Sequence, residues 1–158
     1  MADLLDYVDE NDKVLGSLPR TDIYQQKKIF RIARVLVYDK EGRMLLQKRS
    51  MNKSYGPLHW TTAVGGHVHA KETYEEAALR EYQEELGTTS PLRFQNIFFC
   101  PKKFPHFMTV FTATHEGPFK PCLDEIAELR WCTIDEIKDL IATEPFLEED
   151  LFLFSKIG

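Results

Sequence analysis

One segment constrains the fold of this 158-residue chain more than any other: GGHVHAKETYEEAALREYQEELG, residues 65–87. Thr73, followed three residues later by Glu76, forms the capping-box pattern that marks the start of a helix. Gly87 suits the position just after a helix end, because glycine adopts the left-handed backbone conformation without strain. The segment therefore predicts a helix over about residues 74–86.

The predicted helix has two distinct faces, because successive residues are rotated by about 100°. The apolar arc, which we expect to pack on a sheet, consists of Ala78, Leu79, Tyr82 and Leu86. Glu81, Glu84 and Glu85 form one neighbouring patch, since residues at positions i, i+3 and i+4 lie side by side. Like charges at this spacing repel one another. Arg80 lies on the far side of Glu84 and cannot neutralise all three carboxylates.

Two interpretations of this acidic patch are open, a solvated helix surface and a metal site. Mg²⁺ takes oxygen ligands and retains waters and substrate phosphates, so three carboxylates on one helical turn suit it. A backbone carbonyl at Gly65 or Gly66 could add a ligand, because glycine allows close approach of the backbone. The glycines, the caps and the apolar arc all fit one register, which favours the metal site.

The remainder of the chain alternates strands with a few helices, which predicts an α/β (α+β) sandwich. We predict one domain over residues 1–158, with a hairpin and a short helix in 1–28 and the core in 29–158. Segment 30–50 predicts a β-hairpin, and HWTTAVGG predicts one strand that ends at Gly65. Further strands are predicted in LRFQNIFFC, HFMTVFTATH and ELRWCTI, and helices in TIDEIKDLIA and PFLEEDLFLFSKI. The last helix is expected to have an apolar side of Phe146, Leu147, Leu151, Phe154 and Ile157.

Composition narrows the classes of function. The net charge of -5 argues against binding of a nucleic acid polymer, which usually requires a basic surface. Three cysteines without a CxxC spacing suggest reduced thiols and a cytoplasmic location. No signal peptide and no membrane-spanning segment is expected, because the sequence has neither a basic start with an apolar run nor a stretch of about 20 apolar residues.

The register of the acidic segment resembles a known family signature. Gly66, five residues, Glu72, seven residues, Arg80-Glu81, two residues, Glu84-Glu85, one residue and Gly87 match the Nudix box, GX5EX7REUXEEXGU, at every fixed position. The two positions marked U usually hold aliphatic residues, and here they are Tyr82 and Thr88. The order of elements over residues 29–141 is also similar to that family, whose fold is an α/β/α sandwich around a mixed sheet with a glutamate-rich catalytic helix.

The N-terminal segment DYVDENDKVLGSLPRTDIYQ is similar to the branch of Nudix proteins that resembles isopentenyl-diphosphate isomerase. That isomerase places a catalytic cysteine before a Gly-His pair, where this chain has Gly65. It also uses histidines near its N-terminal hairpin, whereas the first histidine here is His59. We therefore expect a hydrolase. His67 matches a remaining isomerase histidine, so a vestigial metal contact is a further expectation.

The resemblance implies an enzyme that uses Mg²⁺ or Mn²⁺ to hydrolyse a nucleoside diphosphate linked to another moiety. The implied metal ligands are Glu81, Glu84, Glu85 and Gly65, and the implied catalytic set is Glu81, Glu84, Glu85, Arg80 and Glu72. Glu72 and Arg80 are expected to form a supporting salt bridge. The general base varies within the family and stays open here. A module that binds nucleotides or diphosphates without turnover, and the isomerase, are the alternatives.

Other candidate residues border the expected cleft. Arg49 or Lys48 could bind a phosphate at the end of a strand, and Arg34 is a basic residue on an apolar face that reaches the cleft or pairs with an acid. The remaining candidates are His67 for substrate binding, and His69, Glu125 and Glu128 for further ligand roles. His106, Lys102 and Lys103 could border the substrate pocket, but we expect them at the surface. The N-terminal hairpin and the last helix could serve a homodimer interface.

Overall fold

A computed structural model describes residues 3–157 of the chain. The strands are β1 (Leu4–Val8), β2 (Val14–Pro19), β3 (Phe30–Tyr38), β4 (Met44–Arg49), β5 (Trp60–Thr62), β6 (Val64–His67), β7 (Arg93–Cys100), β8 (His106–Thr114) and β9 (Ile126–Cys132). The helices are α1 (Arg20–Gln25), α2 (Tyr74–Leu86), α3 (Ile134–Thr143) and α4 (Glu148–Ile157). This mixture confirms the predicted class, in which strands and helices share one fold.

A seven-stranded mixed sheet organises the fold. Its main order is β5-β4-β3-β8-β7, while β6 also pairs with β3 and β9 with β4. The pairing of β3 with β8 is parallel, and the other pairings in this sheet are antiparallel. Strand β3 is central because its sequence, FRIARVLVY, is almost entirely apolar and its two faces can both be buried.

Helices cover both faces of the sheet. One core cluster contains Val35 and Val37 of β3 together with Ala78 and Tyr82 of α2. A second cluster contains Leu36 of β3 together with side chains of α3 and α4. Since neighbouring residues of a strand point to opposite faces, these two clusters define three layers, which confirms the predicted α/β/α sandwich.

Helix α2 has the predicted boundaries and both predicted caps. The hydroxyl of Thr73 accepts from the backbone N–H of Glu76, whose side chain accepts from the N–H of Thr73. Gly87 has φ 75°, in the left-handed region. The apolar arc differs at one position, because Ala77 is fully buried whereas Leu79 is only half-buried.

Two other predictions were wrong in detail. HWTTAVGG forms two strands, because β5 pairs with β4 and β6 pairs with β3, so the chain changes its partner strand at Ala63. Helix α4 begins at Glu148, and its buried residues are Asp150 and Leu153. Leu151 and Ile157, which the sequence placed on the packed side, are about 40% exposed. The acid Asp150 takes an inward position because a basic partner lies there.

The predicted N-terminal hairpin and short helix are present and lie against the segment that leads into α2. The backbone N–H of Ala70 donates to the carbonyl of Leu4 at 2.8 Å, and that of Lys71 donates to a carboxylate oxygen of Asp6 at 3.0 Å. Helix α1 thereby borders the same end of the sheet as β6. Within residues 3–157, no helix combines the length and the hydropathy needed to cross a bilayer.

Candidate active site

The carboxylates of α2 do not all occupy the same environment. Glu81 and Glu85 line a cleft of about 640 Å³ beside β6. Glu85 is buried, and it accepts hydrogen bonds from the side-chain amide of Gln47 at 2.9 Å and from the backbone N–H of Gly65 at 3.1 Å. Glu84 lies beside the cleft with 57% of its side chain exposed. The predicted patch therefore has an inner pair and one outer member.

The two glycines of β6 permit this close approach. A Cβ atom at Gly66 would lie 2.5 Å from Oε1 of Glu81. A Cβ atom at Gly65 would lie 2.8 Å from Cδ of Arg34. Real Cβ atoms do not make such contacts, so a side chain at either position would displace a charged residue of the cleft.

Arg80 holds the acidic segment together. Its Nε donates to Glu72 at 2.8 Å, its Nη1 donates to Glu81 at 2.7 Å, and its Nη2 donates to the carbonyl of His67 at 3.0 Å. The predicted salt bridge between Glu72 and Arg80 is therefore present. Glu84 is 3.5 Å from Arg80, and Glu85 has no contact with it, so Arg80 compensates only part of the patch.

Burial makes the inner carboxylates costly to ionise. Desolvation, followed by the charge of Glu81, raises the pKa of Glu85 to about 8. Desolvation also raises the pKa of Glu81 to about 6, although Arg80 opposes that shift. A hard divalent cation bound between these two largely buried carboxylates would favour their ionised forms, because it neutralises their negative charges.

The oxygen donors of this patch fit Mg²⁺ or Mn²⁺, which prefer carboxylate and carbonyl oxygens. The fit is not that of a preformed cage. In the part of the chain that the structure describes, no three His, Cys, Asp or Glu side chains are grouped so as to enclose a metal ion. Glu84 lies 3.5 Å from Arg80 and is largely exposed, so the inner pair alone leaves coordination positions for Glu84, waters and a substrate.

Arg34 lies on the floor of the cleft and also pairs with an acid, so both open interpretations of this residue hold. It is 6% exposed. Its Nη1 donates to the hydroxyls of Thr61 at 2.8 Å and Thr62 at 3.2 Å and lies 3.3 Å from Oδ1 of Asp150. Its Nε is buried and has no hydrogen-bond partner among the described residues. Asp150 is fully buried, and desolvation raises the pKa of its carboxyl group.

The two neighbouring basic residues of β4 point in different directions, as alternation along a strand requires. Arg49 lines the cleft, donates from Nε to the carbonyl of Tyr55 at 3.0 Å, and has a pKa lowered by burial and by the charge of Arg34. Lys48 does not reach the cleft. Its ammonium group lies 3.7 Å from Glu144, so the structure does not bring Lys48 to the cleft, and a substrate contact by Lys48 stays a prediction.

His67 lines the cleft next to Gly66, but one of its ring nitrogens is already engaged. Its Nε2 lies 2.6 Å from the hydroxyl oxygen of Tyr24. Burial lowers the pKa of His67 to about 3, so the ring is neutral. A vestigial metal contact through this nitrogen is incompatible with that hydrogen bond. His69 lies outside the cleft lining, with Nε2 3.8 Å from Asp3.

The remaining candidate residues differ in whether they line the cleft or lie at the surface. Glu125 lines the cleft, whereas Glu128 pairs with Arg130 at 2.8 Å on the surface. His106 was expected at the surface but is 3% exposed, because its ring stacks on Phe30. Lys102 and Lys103 are exposed at the surface, as expected, and they also line the cleft.

Sequence reasoning missed several side chains of the cleft. They are Tyr24, Gln47, Lys53 and Glu149, and it also missed Asp150, which is buried behind the cleft as the partner of Arg34. A signal existed for Gln47 and Asp150, since each is a polar residue next to apolar neighbours in MLLQK and EEDLFLF. No local signal identifies Tyr24, which reaches the cleft from a helix that precedes the core.

Comparison with known proteins identifies this arrangement. The profile of the NUDIX domain matches residues 28–150, which include the α2 segment and most of the cleft. The chain belongs to the Nudix family. Its membership confirms the resemblance of the α2 segment to the Nudix box and assigns the chain to hydrolases that act on diphosphate linkages.

Named Nudix relatives fall into more than one activity class. An uncharacterized Nudix hydrolase of Pseudomonas aeruginosa is 36% identical over 132 residues, covering 82% of this chain and 78% of the relative. A prenyl-diphosphate phosphatase of Methanosarcina mazei is 32% identical, covering 90% and 86%. An isopentenyl-diphosphate Delta-isomerase of Photorhabdus laumondii is 31% identical, covering 92% and 85%.

The fold of this Nudix chain also matches a solved structure over its whole length. The crystal structure of DR0079 from Deinococcus radiodurans has a TM-score of 0.85 and 27% sequence identity. The match covers 97% of this chain and 98% of the other. Because the match covers nearly all of both chains, the N-terminal hairpin and α1 belong to an architecture that this solved structure shares.

Proposed function

We propose that this protein is a divalent-metal-dependent hydrolase of a nucleoside diphosphate linked to another moiety. One observation carries the proposal, namely that Glu81 and Glu85 of the Nudix box face the same cleft as the guanidinium groups of Arg34 and Arg49. Carboxylates on one side and arginines on the other provide what a bound diphosphate needs, a metal-binding edge and cationic donors.

Each residue then has a definite task. Glu81, Glu84, Glu85 and the carbonyl of Gly65 would hold Mg²⁺ or Mn²⁺, which when bound neutralises phosphate charge and lowers the pKa of a water. Arg80 and Glu72 keep Glu81 and the preceding loop in place. Arg34 and Arg49 bind phosphate oxygens, since the guanidinium group donates two parallel hydrogen bonds to such an anion.

A prenyl diphosphate is a second candidate substrate. The Methanosarcina relative has the name of a prenyl-diphosphate phosphatase. The cleft of the present chain includes the rings of Tyr24, Phe30 and Phe104, which are surfaces that an isoprenoid chain could contact. The first candidate is favoured because charged side chains of both signs, including Lys53 and Glu125, line much of the same cleft.

Isomerisation of isopentenyl diphosphate is disfavoured. A cysteine at position 65 would place its Cβ atom 2.8 Å from Cδ of Arg34, so this cleft accommodates the glycine and not the isomerase nucleophile. A binding module without turnover is disfavoured because every fixed residue of the Nudix box is present.

The test is phosphate release, with a coupling phosphatase where the product requires one. The panel should contain nucleotide sugars, dinucleoside polyphosphates, nucleoside triphosphates, and isopentenyl, dimethylallyl and geranylgeranyl diphosphates, each with Mg²⁺, Mn²⁺ or EDTA, and the products from isopentenyl diphosphate should also be analysed for isomerisation. Glu84→Gln should abolish turnover. Glu75→Gln is the matched control, since Glu75 is an exposed glutamate of the same helix outside the patch.

The outcomes separate the candidates. Turnover of nucleoside diphosphate compounds that needs metal and is lost only in Glu84→Gln would support the proposal. Turnover confined to the prenyl compounds would replace the first substrate class with the second. Full turnover in EDTA would refute metal dependence. Formation of an allylic product from isopentenyl diphosphate would support isomerase activity instead.

A further inference from the structure

A tyrosine from outside the matched Nudix region reaches into the cleft. Tyr24 belongs to α1, which precedes residue 28, where the family match begins. Its ring packs against Phe30 and Phe104 with centroid distances of 5.0 Å. Its hydroxyl oxygen lies 2.6 Å from Nε2 of His67, and it has no other hydrogen-bond partner among residues 3–157.

The ring of His67 is held in one orientation. It stacks on Phe30 with a centroid distance of 5.2 Å and an interplanar angle of 28°, and it meets the ring of Tyr24 at an interplanar angle of 75° with a centroid distance of 5.8 Å. The backbone carbonyl of His67 accepts from Nη2 of Arg80. His67 lines the cleft directly after Gly66, and because Nε2 is engaged by Tyr24, Nδ1 is the ring nitrogen that is left for a ligand.

The hydrogen bond to Tyr24 decides which ring nitrogen bears the proton. A neutral histidine has one N–H donor and one acceptor nitrogen. If the hydroxyl of Tyr24 donates to Nε2, the acceptor is satisfied and the proton is on Nδ1. If Nε2–H donated instead, the hydroxyl proton of Tyr24 would have no acceptor among residues 3–157 and would depend on water in the cleft, which makes this arrangement the less favourable one. Burial raises the pKa of Tyr24 to about 12, so the hydroxyl keeps its proton for the first arrangement.

We propose that Tyr24 is a positioning residue that fixes His67 in the Nδ1–H tautomer, so that His67 donates a hydrogen bond to a phosphate oxygen of the substrate. Deprotonated phosphate oxygens are acceptors only, and an unprotonated Nδ1 would repel them. The N-terminal hairpin and α1 thus complete the phosphate-binding site. The identity of the ligand in this inference rests on the proposed function, whereas the tautomer of His67 does not depend on it.

The first experiment reads the tautomer directly. Long-range ¹H–¹⁵N correlation spectra of ¹⁵N-labelled protein distinguish protonated from unprotonated ring nitrogens, and His67→Gln assigns the signals among the five histidines. We expect Nδ1 of His67 to be protonated and Nε2 to be the acceptor. An Nε2–H tautomer in the wild-type protein would overturn the proposal. In Tyr24→Phe, which removes only the hydroxyl group, we expect a mixture of tautomers.

The second experiment measures the contribution to binding. Imidodiphosphate, a diphosphate that resists hydrolysis, is titrated into the protein with Mg²⁺ by calorimetry. Loss of one oriented hydrogen bond in Tyr24→Phe should weaken its binding by about 3- to 10-fold. The same change should raise KM for a turned-over substrate more than it lowers kcat. Tyr38→Phe is the matched control, because Tyr38 is a half-buried tyrosine at the far end of β3.

The outcomes for binding and turnover are distinguishable. Imidodiphosphate binding without turnover of any panel compound would count against the proposed function and leave this inference intact. An unchanged affinity in Tyr24→Phe would overturn the positioning role, as would equal losses in Tyr24→Phe and Tyr38→Phe. Failure of the wild-type protein to bind imidodiphosphate would overturn both proposals.

Discussion

Metal binding should release protons from the two inner carboxylates, Glu81 and Glu85, and their pKa values determine how many. With a pKa of about 8, Glu85 keeps its proton in about nine tenths of the metal-free molecules at pH 7. With a pKa of about 6, Glu81 keeps its proton in about one tenth. A cation that both carboxylates ligate requires both to be deprotonated. Binding at pH 7 should therefore release about one proton per molecule.

Both the number of protons released and the affinity for metal should change with pH, in opposite directions. At pH 6 the two groups together hold about one and a half protons, and at pH 9 about one tenth of a proton. Release should thus fall as the pH rises, while the affinity for metal should increase, by about tenfold per pH unit between pH 6 and pH 8. The affinity stops increasing at a pH at which both carboxylates are already ionised in the metal-free protein.

Calorimetric titration with Mn²⁺ in two buffers of different ionisation enthalpy measures the released protons. Glu85→Gln should reduce the release at pH 7 to about one tenth of a proton, if binding persists, because only Glu81 then contributes. Glu75→Gln should leave it unchanged. A release near zero at pH 7 in the wild-type protein would mean that Glu85 is ionised before metal binds, and the argument from burial would be wrong.

Three further substitutions test separate parts of the structure. Gly66→Ala should lower metal-dependent kcat by about 100-fold, because its Cβ atom displaces Glu81; a kcat equal to that of the wild-type enzyme would contradict the close approach. Asp150→Ala should reduce the free energy of unfolding by about 3–5 kcal/mol in urea denaturation, since Arg34 stays buried without a counter-ion; Arg34→Met combined with Asp150→Leu should recover most of this loss. Thr73→Ala should cost about 1 kcal/mol by the same assay, and no loss would mean that the cap contributes nothing.

The parts of this protein that local chemistry determines could be predicted from the sequence. Thr73, Glu76 and Gly87 fix the ends of α2 through contacts within a few residues, so the helix and its carboxylate patch follow from the spacing alone. The salt bridge between Glu72 and Arg80 also lies within this segment. The α/β/α class followed from the order of apolar segments and from the resemblance to Nudix proteins.

The parts that depend on distant contacts could not be predicted. The inward position of Asp150 depends on Arg34, which lies on a strand far earlier in the chain. The change of partner strand at Ala63 depends on which strands lie next to this segment in the sheet, and the sequence of HWTTAVGG does not specify those neighbours. The orientation of Lys48 away from the cleft depends on which face of β4 the cleft occupies, and the sequence alone leaves both faces possible.

The parallel pairing of β3 with β8 has a consequence for how the enzyme acquires its activity. Phe30 pairs with His106, and the whole Nudix box lies in the chain between these two strands. Closing so long a loop costs conformational entropy before the contacts of the sheet compensate for it. The cleft should therefore assemble late in folding, after α2 and the hairpin of β3 and β4 have formed. Substitutions that weaken the contact between β3 and β8 should then reduce the number of active molecules in a preparation and leave the turnover of each folded molecule unchanged.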